Sequence, residues 1–333
     1  MSRHTIALAQ INPTLGDLDR NLSLHEKTAE EAIGRGAGLL IFPELSLTGY
    51  FLKDIVSSVA LPLTSPILNR VRDLSRRIDL VVGLVEESSE YLFYNAALYL
   101  SMGEIRHVHR KLYLPTYGIF DEQRYLAEGA RIRTFGATVG RSAILICEDM
   151  WHPSTACVAS LDGMEILISP SASPGRGGLE EGKTFANARA WETINRAYAQ
   201  LFTCYVLYAN RVGYEDGACF WGGSEVIAPS GEPVAKAEYL SEAILVAEID
   251  SAEIRRARMV NPLLRDERPD VTLRELERVR RRGSGDRSLL TLRIGRADPE
   301  RVHCQRSSKS RVQPGCRRTV GRVGFGAVRI SRR

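Results

Sequence analysis

The 333-residue sequence contains no apolar run that approaches the roughly 20 residues that a membrane-spanning helix needs. Its first residues, MSRHTIALAQINP, enter an apolar, strand-like pattern at once and lack the regions of a secretory signal peptide. Both absences argue against a membrane protein and against a secreted one. We therefore expect a cytoplasmic protein without a membrane partner, and its composition, 44% hydrophobic and 26% charged, is ordinary for a soluble globular chain.

The cysteines form no C-x-x-C pair, and their spacing fits no zinc-site pattern. They are Cys147, Cys157, Cys204, Cys219, Cys304 and Cys316. Scattered cysteines in a cytosolic chain are usually small buried hydrophobic residues. We expect neither a metal nor an organic cofactor, and a cysteine becomes a candidate nucleophile only where its neighbours favour that role.

Positive charge is concentrated near the carboxyl end of the chain. The net charge is +5, arginines crowd together from Arg274 onward, and the preceding part is acidic to neutral. This basic stretch has no interleaved aromatic residues, so we favour a solvated, disordered extension and do not expect nucleic acid as a partner. The prediction is one domain over residues 1–280 and a basic tail over residues 281–333.

Short apolar strands alternate with amphipathic helices, which indicates an α/β fold. The predicted strands are Thr5–Ala9, Leu39–Phe42, Leu80–Val85, Ala96–Leu100, Ser142–Ile146, Ile166–Ser169, Tyr205–Ala209 and Ile244–Ile249. The predicted helices are Asp17–Arg35, with Asp17 and Asn21 as possible caps, Pro66–Arg77, Thr155–Asp162, Thr184–Leu201 and a charged Val271–Arg282. Polar turns join two pairs of strands into hairpins, so we expect a mixed sheet.

Two charged residues stand directly after apolar segments. Glu44 follows the run Leu39–Phe42 and a proline, and a carboxylate near a buried strand is a candidate general base. Lys111 follows a predicted hairpin, and a lone lysine is usually solvated unless the fold places it beside an anion. In an α/β fold, sites assemble in the loops that follow strands.

Cys147 ends an apolar strand and is followed by two acids and a predicted helix. This strand-to-helix junction has the outline of a nucleophile elbow, in which the helix N-terminus would stabilise a thiolate and backbone N–H groups would hold an oxyanion. Glu44 is one candidate proton acceptor for the thiol. Histidine is the commoner partner of a catalytic cysteine, so His107, His109 and His152 remain alternatives.

Three stretches together resemble the nitrilase (carbon–nitrogen hydrolase) superfamily. They are FPELSLTGY at 42–50, RKLYLPTYGIFDEQRYL at 110–126 and ILICEDMW at 144–151. The resemblance implies a four-layer α-β-β-α sandwich that pairs with itself as a homodimer or a higher oligomer. It also implies a linear amide as substrate, attacked by Cys147, with Glu44 as general base and Lys111 stabilising the tetrahedral intermediate.

Within that superfamily, the chain is most similar to the glutaminase domain of glutamine-dependent NAD synthetases. The superfamily resemblance implies a second assisting carboxylate, for which Glu122 is the candidate and Asp121 the alternative, and an oxyanion hole to which the N–H of Glu148 contributes. The resemblance to the glutaminase domain implies a substrate pocket. The implied pocket residues are Tyr50, Tyr117, Glu148, Ser173 and Arg176.

The sequence departs from those synthetases in two respects. It has no S-G-G-x-D-S phosphate loop, so we do not expect this chain to make NAD alone. Trp221 stands where the glutaminase domains usually carry a smaller or acidic residue. The expected function is an amidase that releases ammonia, with glutamine as one possible substrate. The alternatives are an ammonia-supplying subunit for a separate synthetase and a non-catalytic binding scaffold.

Overall fold

The structure is a computed structural model that describes residues 2–175 and 185–283. These residues fall into two compact units, one ending at Glu267 and the other beginning at Arg268. The strands, all in the first unit, are β1 (Arg3–Gln10), β2 (Leu39–Ile41), β3 (Asp79–Glu87), β4 (Phe93–Ser101), β5 (Glu104–Arg110), β6 (Phe135–Ala137), β7 (Gly140–Ile144), β8 (Ile166–Ser171), β9 (Tyr205–Asn210), β10 (Val212–Glu215), β11 (Ala218–Trp221), β12 (Glu225–Ile227), β13 (Pro233–Lys236) and β14 (Ala243–Asp250).

The helices alternate with these strands along the chain. They are α1 (Leu18–Gly34), α2 (Val56–Val59), α3 (Ile67–Leu74), α4 (Glu122–Tyr125), α5 (Pro153–Leu161), α6 (Ala186–Leu201), α7 (Ser251–Val260), α8 (Leu263–Asp266) and α9 (Pro269–Gly283), with short 3₁₀ helices at Lys53–Ile55 and Cys147–Trp151. Of the helices in residues 2–175 and 185–283, α9 alone belongs to the second unit. No helix in the described ranges is both long and apolar enough to span a membrane.

Two six-stranded mixed sheets form the centre of the first unit. Their strand orders are β14-β1-β2-β3-β4-β5 and β13-β12-β9-β8-β7-β6. In the first sheet β1, β2 and β3 run parallel, and in the second β7, β8 and β9 do. The carboxyl ends of parallel strands lie at one edge of their sheet. The loop after β2 in the first sheet and the loops after β7, β8 and β9 in the second can therefore contribute residues to one site.

Alternation of apolar side chains along the strands explains the layers. In β1 and β2, Leu8 and Ile41 pack in one apolar cluster with residues of the second sheet, whereas Ala7 and Leu40 pack with α1 and α3 on the opposite face. Trp191 of α6 belongs to the cluster of the second sheet. Burial of each large apolar side chain contributes about 1.5–3 kcal/mol. The result is the predicted four-layer α-β-β-α sandwich.

The helix predictions are mostly confirmed, with one correction at a cap. Asp17 is the N-cap of α1, because its carboxylate accepts a hydrogen bond from the Arg20 N–H at 3.0 Å. Asn21, the other possible cap, lies inside α1 instead. Its side-chain amide donates to the carbonyls of Thr14 and Leu47, so it ties the helix to the loop that follows β2.

Two hairpins, β6–β7 and β10–β11, were not predicted from the sequence. β10 and β11 pair as an antiparallel hairpin over Val212–Trp221. Its turn contains Asp216 and Gly217, both with positive φ, and an Asp-Gly pair of this kind is a strong hairpin signal. The signal was present, but the flanking residues lack the apolar alternation of a typical strand pair.

The second unit is described only through α9. This helix confirms the charged helix predicted over Val271–Arg282. It runs through residue 280, and the domain boundary predicted there stays a prediction. Residues 284–333, the rest of the predicted basic tail, lie outside the described residues.

Candidate active site

Glu44 lies in the loop after β2 and is almost completely buried. Its carboxylate accepts three hydrogen bonds: from Asn95 Nδ2 at 2.7 Å, from Lys111 Nζ at 2.7 Å and from the backbone N–H of Ala172 at 2.8 Å. All three partners donate, and the carboxylate oxygens of Glu44 accept from each of them. These contacts hold the Glu44 carboxylate in place against Lys111.

Lys111 follows β5, and its ammonium is fully buried between two carboxylates. Nζ donates to Glu44 Oε1 at 2.7 Å and to Glu122 Oε1 and Oε2 at 2.7 and 2.9 Å. Burial by itself would lower the pKa of this ammonium, but the charges of Glu122 and Glu44 outweigh burial and raise that pKa well above its usual value. Lys111 is therefore a fixed positive charge inside the protein.

Glu122, the first residue of α4, is the carboxylate beside Lys111. Burial raises the pKa of Glu122 to about 7, an effect that Lys111 opposes and Glu44 reinforces. The hydroxyl of Tyr50 donates to Glu122, and burial followed by the Glu122 charge raises the pKa of Tyr50 well above its usual value. Asp121, the alternative second carboxylate, is exposed and pairs instead with Arg124 at 3.7 Å.

Cys147 begins the 3₁₀ helix that follows β7 and has a positive φ of 44°. A non-glycine residue in this backbone region is strained, and such strain is concentrated at functional sites. Burial and then the Glu44 charge raise the pKa of the Cys147 thiol well above its usual value, although the Lys111 ammonium lowers it. Burial therefore opposes the thiolate expected from the sequence, whereas the Lys111 ammonium supports it.

Besides Tyr50, four residues were predicted to line a substrate pocket, and the structure describes three of them. Tyr117 and Glu148 form a partly exposed pair beside Cys147, in which the Tyr117 hydroxyl donates to Glu148 at 2.8 Å. Ser173 is buried, and its hydroxyl accepts a hydrogen bond from Trp191 Nε1 at 2.9 Å. Arg176 lies outside the described residues. Trp221 is fully buried and packs on Tyr208.

The histidines considered as partners of Cys147 have other neighbours. His109 Nε2 bonds Asp149 at 2.9 Å. His107 stacks on Phe135, and burial lowers its pKa to about 4. His152 stacks on Tyr113 at the edge of the site. The geometry favours Glu44 over these histidines as proton acceptor, since Glu44 shares the buried cluster with Cys147 and Lys111.

Sequence reasoning missed a buried ion pair that holds Tyr50. Arg211, after β9, donates to Glu215 at 2.7 Å, and Glu215 in turn accepts from the backbone N–H groups of Tyr50 and Phe51 at 2.9 and 2.7 Å. The only available signal was a charged residue directly after an apolar strand, the same signal that identified Glu44. Asn95 was missed because it lies within the apolar strand β4.

Comparison with known proteins identifies the family of this chain. The carbon-nitrogen hydrolase family matches residues 5–259. The glutamine-dependent NAD(+) synthetase of Thermotoga maritima is 32% identical over 268 residues, which cover 79% of this chain and 45% of that protein. The N-carbamoylputrescine amidase of Arabidopsis thaliana is 26% identical over 270 residues, which cover 77% of this chain and 89% of that protein.

A solved structure agrees as well. The crystal structure of a carbon-nitrogen hydrolase from Helicobacter pylori G27 superposes with a TM-score of 0.70 at 28% identity, covering 80% of this chain and 96% of that one. The chain spans less than half the length of the synthetases that it matches. The chain belongs to the carbon-nitrogen hydrolase family, and it is a hydrolase of carbon–nitrogen bonds with the nitrilase-type α/β fold.

Proposed function

We propose that this protein hydrolyses a linear amide through a thioester on Cys147 and releases ammonia. The observation that carries the proposal is the buried Lys111 ammonium, which lies between Glu44 and Glu122 beside a buried cysteine. Strongly perturbed ionisable groups in contact with one another are concentrated at catalytic sites. The family match to residues 5–259 supports the same reaction class.

Acylation begins with proton transfer from the Cys147 thiol to Glu44. A base is required because the pKa of this thiol lies well above its usual value. The sulfur then bonds to the amide carbon, and the carbonyl oxygen becomes an oxyanion beside the Lys111 ammonium and the backbone N–H of Glu148. As the carbon–nitrogen bond breaks, Glu44 gives its proton to the leaving nitrogen, and ammonia departs.

Deacylation repeats the proton transfers with water. Glu44 takes a proton from a water molecule, whose oxygen adds to the thioester carbon. The carbon–sulfur bond then breaks, the proton returns to the sulfur and the carboxylic acid leaves. Glu122 holds Lys111 from its other side, so the ammonium keeps its place while Glu44 alternates between its two protonation states.

The substrate class follows from the partly exposed Tyr117–Glu148 pair and from the relatives. A carboxylate at the rim of a site favours a substrate that carries a cationic group. Glutamine, suggested by the synthetase relatives, carries an α-ammonium group, and N-carbamoylputrescine, suggested by the amidase relative, carries a free terminal ammonium group. We also propose that ammonia from glutamine is supplied to a separate synthetase, because the relatives that share this domain are glutamine-dependent synthetases.

The test is ammonia release across simple amides, glutamine, asparagine and N-carbamoyl compounds. Cys147→Ala should abolish release and remove the acyl adduct seen by mass spectrometry. The matched control is Cys204→Ala, since Cys204 is also buried and burial raises its pKa to about 12, but it lies in the core after α6. Glu44→Gln should slow turnover by about 10²–10⁴-fold because it removes the proton acceptor.

Two results would contradict the proposal. Turnover retained by Cys147→Ala would exclude the thioester. Absence of ammonia release from every amide would favour the alternative of a non-catalytic scaffold.

A further inference from the structure

Asp149 is a fully buried carboxylate two residues after Cys147, and the reaction described above gives it no role. Isolated buried charges are costly, so a buried carboxylate is retained where several donors satisfy it. Asp149 has four donors, drawn from two separate parts of the site. The positions of those donors in the chain indicate the role of Asp149.

Each oxygen of Asp149 accepts two hydrogen bonds. Oδ1 accepts from the backbone N–H groups of Leu112 and Tyr113 at 2.9 and 3.1 Å. Oδ2 accepts from the backbone N–H of Ile146 at 3.0 Å and from His109 Nε2 at 2.9 Å. His109 donates to Oδ2 in the tautomer that carries its proton on Nε2.

These donors are close neighbours, along the chain, of the two residues that the proposed reaction brings together. His109 lies two residues before Lys111, and Leu112 follows Lys111 directly. Ile146 directly precedes Cys147. The segment of Lys111 comes from β5 in one sheet, and the segment of Cys147 comes from β7 in the other. One side chain thus connects the backbones that carry the ammonium and the sulfur.

We propose that Asp149, supported by His109, is a positioning residue that sets the distance between the Lys111 ammonium and the Cys147 sulfur. This inference rests on the proposed function, because the distance matters only if both groups act on one substrate. Asp149 does not touch the reacting atoms and acts through the backbone on either side of them. A small displacement of reacting groups is enough to cost about 10²-fold in rate.

A carboxylate suits this position better than an amide of the same shape. In Asp149→Asn, one of the oxygens is replaced by an NH₂ group that faces at least one backbone N–H. A buried donor left without an acceptor destabilises the arrangement that buries it. The loop of Lys111 or the elbow of Cys147 should therefore shift away from this position.

The test is alkylation of Cys147 by iodoacetamide, followed by peptide mass spectrometry over a range from about pH 6 to about pH 10. The thiolate displaces iodide, so the rate reports the proton affinity of this sulfur and does not need turnover. The Lys111 charge lowers the pKa of the Cys147 thiol in the intact site. In Asp149→Asn the alkylation rate at a given pH should fall about tenfold, because the thiol pKa rises by about one unit when a nearby opposite charge is withdrawn.

A double-mutant cycle shows whether the effect passes through Lys111. In a Lys111→Met background, adding Asp149→Asn should leave the alkylation profile unchanged, because the charge that Asp149 positions is already gone. An undiminished shift in that background would overturn the proposal. So would an Asp149→Asn profile that coincides with that of the unmodified protein.

Asp79→Asn is the matched control for lost stability. Asp79 is another buried carboxylate and accepts from the hydroxyls of Tyr99 and Thr138 at 2.6 Å, away from the site. Its variant should lose stability but keep the Cys147 profile. A purely structural role for Asp149 predicts the same behaviour in Asp149→Asn, so equal profiles in both variants would count against positioning.

Replacement of His109 leaves Asp149 with its three hydrogen bonds from backbone N–H groups. His109→Phe removes one of the four donors and should shift the profile in the same direction by a smaller amount. His109→Gln restores an N–H donor and should move the profile back. If the unmodified protein releases no ammonia but these changes in alkylation appear, the proposed function fails and the positioning role of Asp149 survives. If ammonia is released but the changes do not appear, the proposed function survives and the positioning role fails.

Discussion

At the scale of single residues, the site places a buried thiol and a buried carboxylate under the influence of the same ammonium. Burial and then the Glu44 charge raise the pKa of the Cys147 thiol, while the Lys111 charge lowers it. Glu44 accepts three hydrogen bonds, one of them from Lys111. In the proposed reaction the thiol therefore needs a proton acceptor before the sulfur can attack.

Glu122 should make the stability of the protein depend on pH near neutrality. Its pKa is raised from 4.5 to about 7 in the fold, so the folded state binds this proton more tightly than the unfolded state. The resulting stabilisation is present below the unfolded pKa and is lost as pH rises through about 7. Urea unfolding from pH 5 to pH 8 should show a loss of about 1–3 kcal/mol in the unmodified protein that Glu122→Gln does not show.

Asp121→Asn is the neighbouring control for this measurement. Asp121 is exposed, so its variant should retain the pH dependence of the unmodified protein. A Glu122→Gln variant whose stability falls with pH as steeply as that of the unmodified protein would contradict the assignment.

Some site residues were recognisable from sequence and others were not. Glu44, Lys111 and Cys147 each follow a strand within a motif, and that position is visible in one dimension. Asn95 and Asp149 have no such signal, because their contacts come from residues far away along the chain. In the sequence, Asp149 is only one of two acids that follow a cysteine. Its role cannot be predicted from that position, because its burial is a property of the fold.

At the scale of elements, the site depends on loops that lie very close to a neighbouring strand. The loop that carries Glu44 crosses β3 at Gly83, where a Cβ atom would lie 2.5 Å from the Leu45 nitrogen and 2.6 Å from the Pro43 oxygen. Both neighbours are backbone atoms and cannot rotate away. Glycine at this position is therefore what allows the Glu44 loop to lie against the sheet.

Gly83→Ala should displace Glu44 and reduce turnover by about 100-fold, the cost of misplacing a reacting group by about 1 Å. The measurement is kcat and KM for the best amide, with thermal unfolding as a check on folding. Gly136→Ala on β6 is the control, because a Cβ there meets nothing within 4 Å. Turnover in Gly83→Ala equal to that of the control would show that the loop tolerates displacement.

The predicted elements were largely confirmed, and the differences have local reasons. β7 ends at Ile144 and not at Ile146, because the chain leaves the sheet to form the elbow at Cys147. β8 runs on to Ser171, two residues beyond the predicted end, because Pro170 and Ser171 still pair with β9. Apolar runs therefore located the strands, and sheet pairing determined where they end.

At the scale of the whole molecule, α5 presents apolar side chains to solvent. Val158 and Leu161 are 46% and 40% exposed, and Trp151 just before the helix is 39% exposed. Clustered exposed apolar residues mark interaction surfaces. The family resemblance implies pairing of two copies, and we predict that this face of α5 is covered by a second copy of the chain.

Light scattering coupled to gel filtration tests this prediction. The unmodified protein should run at about twice its chain mass of 37.0 kDa, and Val158→Asp should run as a single chain. Leu92→Asp is the control, because Leu92 is equally exposed at 46% but lies in the turn between β3 and β4. A monomeric unmodified protein, or equal masses for the two variants, would exclude this interface.

The sequence by itself determined the fold class, the order of most strands and helices, and the candidate triad. Periodicity and strand-end motifs are local, so they can be read along one chain. Only the tertiary structure decided which acid lies beside Lys111, that Cys147 is buried, and that Asp149 connects the two sheets. Those properties depend on burial and on the proximity of charges from distant segments. Burial and proximity both arise only when the two sheets pack.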